Sequence, residues 1–168
     1  MKTIHLLRHA KASSSEPAVD DHERRLARRG ERDARRLAQQ LVPRGIAPAL
    51  VLCSSAKRCR ETLELIARSL PGTTKIVVED ELYAAPVEAL LQRLRRLPDV
   101  IPSTLLIGHN PGLQDLALAL AGRGPDVDAL RGRFPTCALV TLRTPVATWR
   151  DVAPGCAQVI DSLTPEKL

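Results

Sequence analysis

The sequence predicts an α/β fold with a mainly parallel sheet, and three observations carry that expectation. Apolar runs of strand length recur at residues 4–7, 49–53, 75–78 and 104–107. Each is followed by a stretch whose apolar residues return every three or four positions, the spacing of a helix with one buried face. Three of the runs stop abruptly, at Arg8 and His9, at Ser54 and Ser55, and at Gly108 and His109. Strands covered on both faces read as unbroken apolar runs, and strands alternating with helices indicate parallel pairing.

The elements follow in order. After the first strand, residues 12–17 form a polar loop, and an acidic-basic stretch from Asp20 to Leu26 leads into a helix. From Gly30 onward Ala34, Leu37, Ala38, Leu41 and Val42 make its inner stripe, and Glu31, Arg32, Arg35, Arg36 and Gln39 face out. Pro43 and Gly45 end it. The second strand turns at Ser54 into a helix carrying Leu63, Ile66 and Leu70. The third leads through Leu82 and Tyr83 to a helix over residues 86–97, with Leu90, Leu91, Leu94 and Leu97 inward. The fourth runs through Gly108 and Gly112 into a helix with Leu113, Leu116, Ala117 and Leu120. Residues 137–142 and 147–150 read as closing strands joined by a turn at Pro145, with Trp149 packed on an edge strand. Neither an internal repeat nor a linker interrupts the chain, so one domain over residues 1–168 is expected.

Composition narrows the function classes. A chain of 168 residues with 44% hydrophobic content can bury one full core, as soluble globular proteins do. It holds one Trp, one Tyr and one Phe, so the core is aliphatic and the rings that stack on nucleic-acid bases are missing. With no reading motif either, a nucleic-acid partner is not expected. A net charge of +6 favours acidic partners, either a phosphorylated substrate or an acidic protein surface. Cys53, Cys59, Cys137 and Cys156 show neither a CxxC pair nor metal-ligand spacing with the histidines, and read as reduced thiols of a cytoplasmic protein without a metal site. The first apolar run is too short for a signal peptide and no later run is long enough to span a membrane, so no membrane partner is expected.

The chemistry lies at the strand ends. Strand one delivers Arg8 and His9, strand two leads into Lys57, Arg58 and Arg60, and strand four delivers His109. Open parallel sheets bind ligands at the carboxyl ends of their strands. If these three strands are neighbours, two imidazoles and at least two guanidiniums converge on one pocket. Such a pocket suits a phosphoryl group: guanidinium forks match its oxygens, an imidazole can attack phosphorus, and a helix N-terminus after Ser55 can add backbone donors.

These residues carry a family resemblance. The stretch Leu6-Leu7-Arg8-His9-Ala10-Lys11 resembles the nucleophile motif of the histidine phosphatase superfamily, with Ala10 where many members have Gly. Residues 21–30 are similar to its Arg-Pro-Leu-Thr-x-x-Gly signature, with Arg24 as the leading arginine, Arg25 in place of the proline and Ala27 in place of the threonine. Residues 54–62 resemble the second-arginine motif, matching Arg58, and Gly108-His109-Asn110-Pro111 resembles the second-histidine motif. Within the superfamily the chain is similar to the small SixA phosphohistidine phosphatases.

The resemblance implies a phosphoglycerate-mutase-like α/β three-layer sandwich with a mainly parallel central sheet and no large cap insertion. It implies a phosphatase without cofactor or metal, in which His9 is the nucleophile and Arg8, Arg58 and His109 surround the transferred group. Arg24 then reaches in from the loop to bind substrate, with Lys11 and Asn110 at the pocket rim. The implied partner is a phosphohistidine-bearing protein such as a phosphotransfer domain, with phosphate or a phosphate-mimicking anion in the pocket. An unprotonated His9 is required, and nearby arginines favour that form over the ordinary imidazole pKa of about 6.5.

Two departures bear on the substrate. Many superfamily members carry an acidic proton donor soon after the third strand, but here the region reads Leu82-Tyr83-Ala84-Ala85-Pro86, flanked by Glu81 and Glu88. A site without a dedicated acid suits phosphohistidine, whose imidazole leaves more readily than an alkoxide. The short segment over the pocket also implies an open site that admits a side chain presented by another protein. Elsewhere, His5 reads as a packed histidine, His22 as an exposed loop residue, residues 24–29 as a mostly solvated helix face with only Arg24 turned inward, and Glu81 as a strand-end charge. A phosphatase of small metabolites and a non-catalytic basic adaptor remain as alternatives.

Overall fold

The computed structural model describes residues 1–168. Its centre is a six-stranded sheet of β1 (Lys2–Arg8), β2 (Leu50–Ser54), β3 (Lys75–Glu79), β4 (Ser103–Gly108), β5 (Leu139–Thr144) and β6 (Gln158–Leu163), in the order β3-β2-β4-β1-β5-β6. The first four of these positions are parallel to one another, and β5 and β6 add an antiparallel margin. The three strands with chemistry at their ends are therefore neighbours, the condition for their side chains to share one pocket.

Helices α1 (Arg28–Leu41) and α2 (Lys57–Ile66) cover one face, and α3 (Val87–Arg95), α4 (Gly112–Ala121) and α5 (Pro125–Gly132) cover the other. Alternation along β1 divides its side chains between two cores. Ile4 and Leu6 join the α3–α4 side with Leu52, Leu106 and Leu116, while Leu7 joins Leu37, Val51, Ile66 and Ile107 beneath α1 and α2. The result is the expected three-layer sandwich. No helix is long and apolar enough to cross a membrane.

Four details differ from expectation. The first helix starts at Arg28; Arg24 and Arg25 lie in extended chain before it, where Leu26 bridges to Ala12. That helix stops at Leu41 because Gly45 takes a positive φ and the Ile46 amide closes back on the Leu41 carbonyl at 2.9 Å. Ile46 is thereby buried, and Val42, assigned to the inner stripe, is 72% exposed. Residues 147–150 are not a strand: Trp149 begins a 3-10 turn, is fully buried, and donates its indole N–H to the Ile101 carbonyl at 2.8 Å, so it belongs to the core and not to an edge. The closing strand is β6, whose mixed polar sequence and bulge against β5 hide the two-residue alternation. Helix α5 is a further unexpected element, short and started by Pro125. At the other margin β3 is a bare edge, with Ile76, Val77 and Val78 all exposed.

Candidate active site

The carboxyl ends of β1, β2 and β4 meet in a pocket of about 220 Å³ lined by Arg8, His9, Lys11, Arg24, Arg58 and His109, together with Asn110, Thr136 and two alanines. Every residue singled out for substrate chemistry is present. Lys11 is exposed at the rim, and Asn110 is held by its amide to the Phe134 carbonyl at 3.1 Å. None of the lining side chains is a carboxylate. Nor does the molecule hold any group of three or more His, Cys, Asp or Glu placed to bind a metal ion.

His9 leaves β1 just after its amide pairs with the Gly108 carbonyl, so neighbouring strand ends fix its backbone. Its Nδ1 lies 2.7 Å from the Ala10 carbonyl, which can only accept; Nδ1 therefore carries the proton and Nε2 keeps a free lone pair at the pocket. Ala10 is held in turn, its amide donating to Thr62 Oγ1 at 3.0 Å and that hydroxyl donating to the Arg58 carbonyl at 2.7 Å. Burial lowers the His9 pKa to about 4, helped by the positive charges of Arg58, Arg8 and Arg24 and opposed by the Ala10 hydrogen bond.

His109 stands opposite, its ring centroid 5.4 Å from that of His9. Burial, with smaller contributions from His9 and Arg58, lowers its pKa to about 3, so both imidazoles are neutral near pH 7. Arg58 Nη2 is 3.4 Å from His109 Nδ1, which makes Nδ1 the acceptor and sends the Nε2 proton to Ser54 Oγ at 2.7 Å.

Each guanidinium is tied to backbone. Arg8 donates to the Phe134 carbonyl at 3.0 Å, Arg24 to Ser13 at 2.9 Å and Arg58 to Asp21 at 2.7 Å. Arg8 Nε is buried with no acceptor in the chain. An unpartnered buried donor is costly. The backbone donors expected after Ser55 contribute less, since the Ser55 and Ala56 amides already serve the Glu79 carbonyl and Ser54 Oγ.

Sequence reasoning missed Asp21 and Tyr83. The Asp21 carboxylate accepts from Arg24 Nη1 at 3.0 Å, from Arg58 Nη2 at 3.2 Å and from the Tyr83 hydroxyl. Those hydrogen bonds, Tyr83 first and Arg24 next, push its pKa far below the usual carboxylate range, while Asp21 pushes the Tyr83 phenol up. Tyr83 packs edge-on against both His109 and His22. His22, expected to be exposed, is half-buried, with Nε2 2.8 Å from Ser55 Oγ. Glu81 is paired with Arg96 at 2.7 Å and Arg93 at 3.4 Å and does not line the pocket, in line with the strand-end charge expected of it. The signal for Asp21 was its place three residues before Arg24, within salt-bridge reach in a tight turn.

A model of the histidine phosphatase superfamily (branch 1) matches residues 4–84. An uncharacterized protein of Mycobacterium tuberculosis is 33% identical over 158 residues, covering 92% of this chain and 96% of its own. A solved structure from Agrobacterium tumefaciens, provisionally named phosphohistidine phosphatase SixA, is 32% identical over 98% of both chains with a TM-score of 0.85. The chain belongs to the histidine phosphatase superfamily. Within it the chain resembles the SixA group. The protein histidine phosphatase SixA complexed with tungstate shares the fold at a TM-score of 0.78, with 23% identity and 97% of both chains covered. The stretch matched by the superfamily model contains Arg8, His9, Arg24, Arg58, Asp21 and Tyr83; His109 and Asn110 lie beyond it.

Proposed function

We propose that residues 1–168 act as one histidine phosphatase domain that removes the phosphoryl group from a histidine of a signalling or phosphotransfer protein, through a phospho-His9 intermediate. The observation that carries the reading is the free Nε2 of His9, neutral and held by the Ala10 carbonyl, facing a pocket ringed by Arg8, Arg24 and Arg58. In the first step His9 Nε2 bonds to phosphorus as the substrate's N–P bond breaks, and the departing imidazole takes a proton from solvent. In the second, water attacks the phosphorus of phospho-His9, orthophosphate leaves, and Nε2 recovers its lone pair.

Arg8 and Arg58 stabilise the equatorial oxygens of the transferring group, His109 holds the Arg58 guanidinium through its Nδ1 lone pair, and Arg24, Lys11 and Asn110 bind the substrate at the rim. The substrate class follows from the missing acid. No carboxylate lines the pocket, and Asp21, the nearest one bound to its arginines, is kept ionised by Tyr83 and Arg24 and cannot serve as a proton reservoir. Phosphohistidine needs that proton less than an alkyl ester does. The SixA names of similar structures agree with this choice. All groups in the scheme are side chains of the chain itself, so no metal is required.

The test is phosphate release, in chelator, from a phosphohistidine protein and from a panel of small phosphate esters, comparing the wild type with His9→Ala. Fast release from the phosphoprotein alone, lost by at least about 10³-fold in the variant, is expected. Comparable rates on small esters would make the protein a metabolite phosphatase. Absence of turnover on either would leave a phosphate-binding adaptor.

A further inference from the structure

At the opposite end of the sheet from His9, a cleft of about 380 Å³ opens between the turn after α1 and the starts of β1 and β4. It shares no lining residue with the Arg8–His9 pocket. Three features at this place are out of keeping with a plain solvated surface.

The first is His5. It sits on the α1–α2 side of the sheet, one alternation below Leu7, and is only 4% exposed. Its Nδ1 lies 2.8 Å from Thr141 Oγ1, while Nε2 has no partner in the chain and the ring lines the cleft. Burying an imidazole costs desolvation that a leucine here would avoid. Burial, opposed by the Asp161 carboxylate, lowers the His5 pKa to about 4, so the ring is neutral near pH 7, with Nε2 its one unpartnered nitrogen.

The second is charge. Arg44 Nη1 lies 2.8 and 3.0 Å from the two oxygens of Asp161, which leaves Arg143 as a second guanidinium with no carboxylate partner. Two guanidiniums face one carboxylate, and the cleft keeps a net positive charge. The third is the bulge between β5 and β6. The register passes from Thr141 opposite Asp161 to Leu142 opposite Val159, and the residue left over, Ile160, lines this same cleft. Bulges of this kind re-aim groups and gather beside binding sites.

We propose that this cleft is a second ligand site, taking a small oxyanion of the carboxylate or phosphate kind, with the Arg143 guanidinium as one donor and the His5 Nε2–H, formed when the Thr141 hydroxyl donates to Nδ1, as the other. It is independent of the proposed reaction at His9.

The chain has only four histidines, so each imidazole can be followed by NMR during titration of the whole protein with orthophosphate and, separately, with citrate. Saturable movement of the His5 ring signals is expected with at least one of the two, and which one moves them distinguishes a phosphate from a carboxylate ligand. In Arg143→Ala, an exposed position, the dissociation constant read at His5 should rise about tenfold, as for loss of one charge-assisted hydrogen bond. The response of His9 to orthophosphate should not change in that variant. His5 signals that move with neither anion, or that move with unaltered affinity in Arg143→Ala, would overturn the assignment. A failure of phosphohistidine hydrolysis would leave it untouched.

Discussion

Ser54 ends β2 and His109 follows β4 beside it, and Ser54 Oγ accepts the Nε2 proton of His109 at 2.7 Å while Arg58, which can only donate, keeps Nδ1 as an acceptor. Ser54 is fully buried, so water does not replace it. In Ser54→Ala the Nε2–H loses its acceptor, and the ring is free to turn its Nδ1 away from Arg58. A fall of roughly tenfold in kcat/KM is expected, the cost of one misdirected hydrogen bond in the transition state. Steady-state kinetics on a phosphohistidine substrate, alongside an unchanged circular dichroism spectrum, measures it; unaltered kinetics would remove His109 orientation from the mechanism.

Asp21 links the two arginines that do not belong to β1. Asp21→Asn keeps the backbone carbonyl that Arg58 uses but discharges the carboxylate shared by Arg24, Arg58 and Tyr83. The variant should lose about tenfold or more in kcat through disordered guanidiniums. Tyr83→Phe, which spares both arginine contacts, should lose less. An inverted order of the two variants would point to Tyr83 acting on the substrate directly.

Three buried histidines make stability depend on pH. His5 and His9 have folded pKa values of about 4 and His109 about 3, against an ordinary value near 6.5. Between those limits the unfolded chain binds more protons than the folded one, so folding stability rises with pH from about 4 to 6.5 and levels off above. Each histidine contributes a slope of at most about 1.4 kcal/mol per pH unit. Urea unfolding at a series of pH values checks this, and a flat profile between pH 4 and 6.5 would contradict the burial of these rings in neutral form.

Gly30 stands where α1 crosses the Lys11 backbone, and a Cβ there would lie 2.1 Å from the Lys11 carbonyl oxygen. Exchange of a helical glycine for alanine ordinarily stabilises by up to about 1 kcal/mol. Here the clash should win, with Gly30→Ala losing about 1–3 kcal/mol as the helix shifts off the strand end. Chemical denaturation gives the sign, and a stabilised variant would show that the loop yields easily.

Much of this molecule was legible because its central strands are apolar on both faces and end in single, chemically distinctive residues. Arg8, His9 and His109 were found at strand ends and Arg58 at the start of the helix that follows β2, and the order β2-β4-β1 brings those ends together. Legibility failed where tertiary contacts outrank local pattern. Trp149 looks like an edge-strand residue until its indole proton is seen on the Ile101 carbonyl. Val42 continues the helical stripe, yet the Gly45 turn substitutes Ile46 for it. Asp21 and Tyr83 are 62 residues apart, and nothing local announces that a carboxylate and a phenol will meet across two arginines.

The guanidiniums of the pocket are tethered to the Phe134, Ser13 and Asp21 carbonyls of the chain itself. A cradle already in position binds with little ordering cost, but it grips the departing ion as firmly as the arriving one. The proposed turnover is therefore slowed by the free orthophosphate around it, and a cell rich in that ion holds the enzyme partly occupied by its own product.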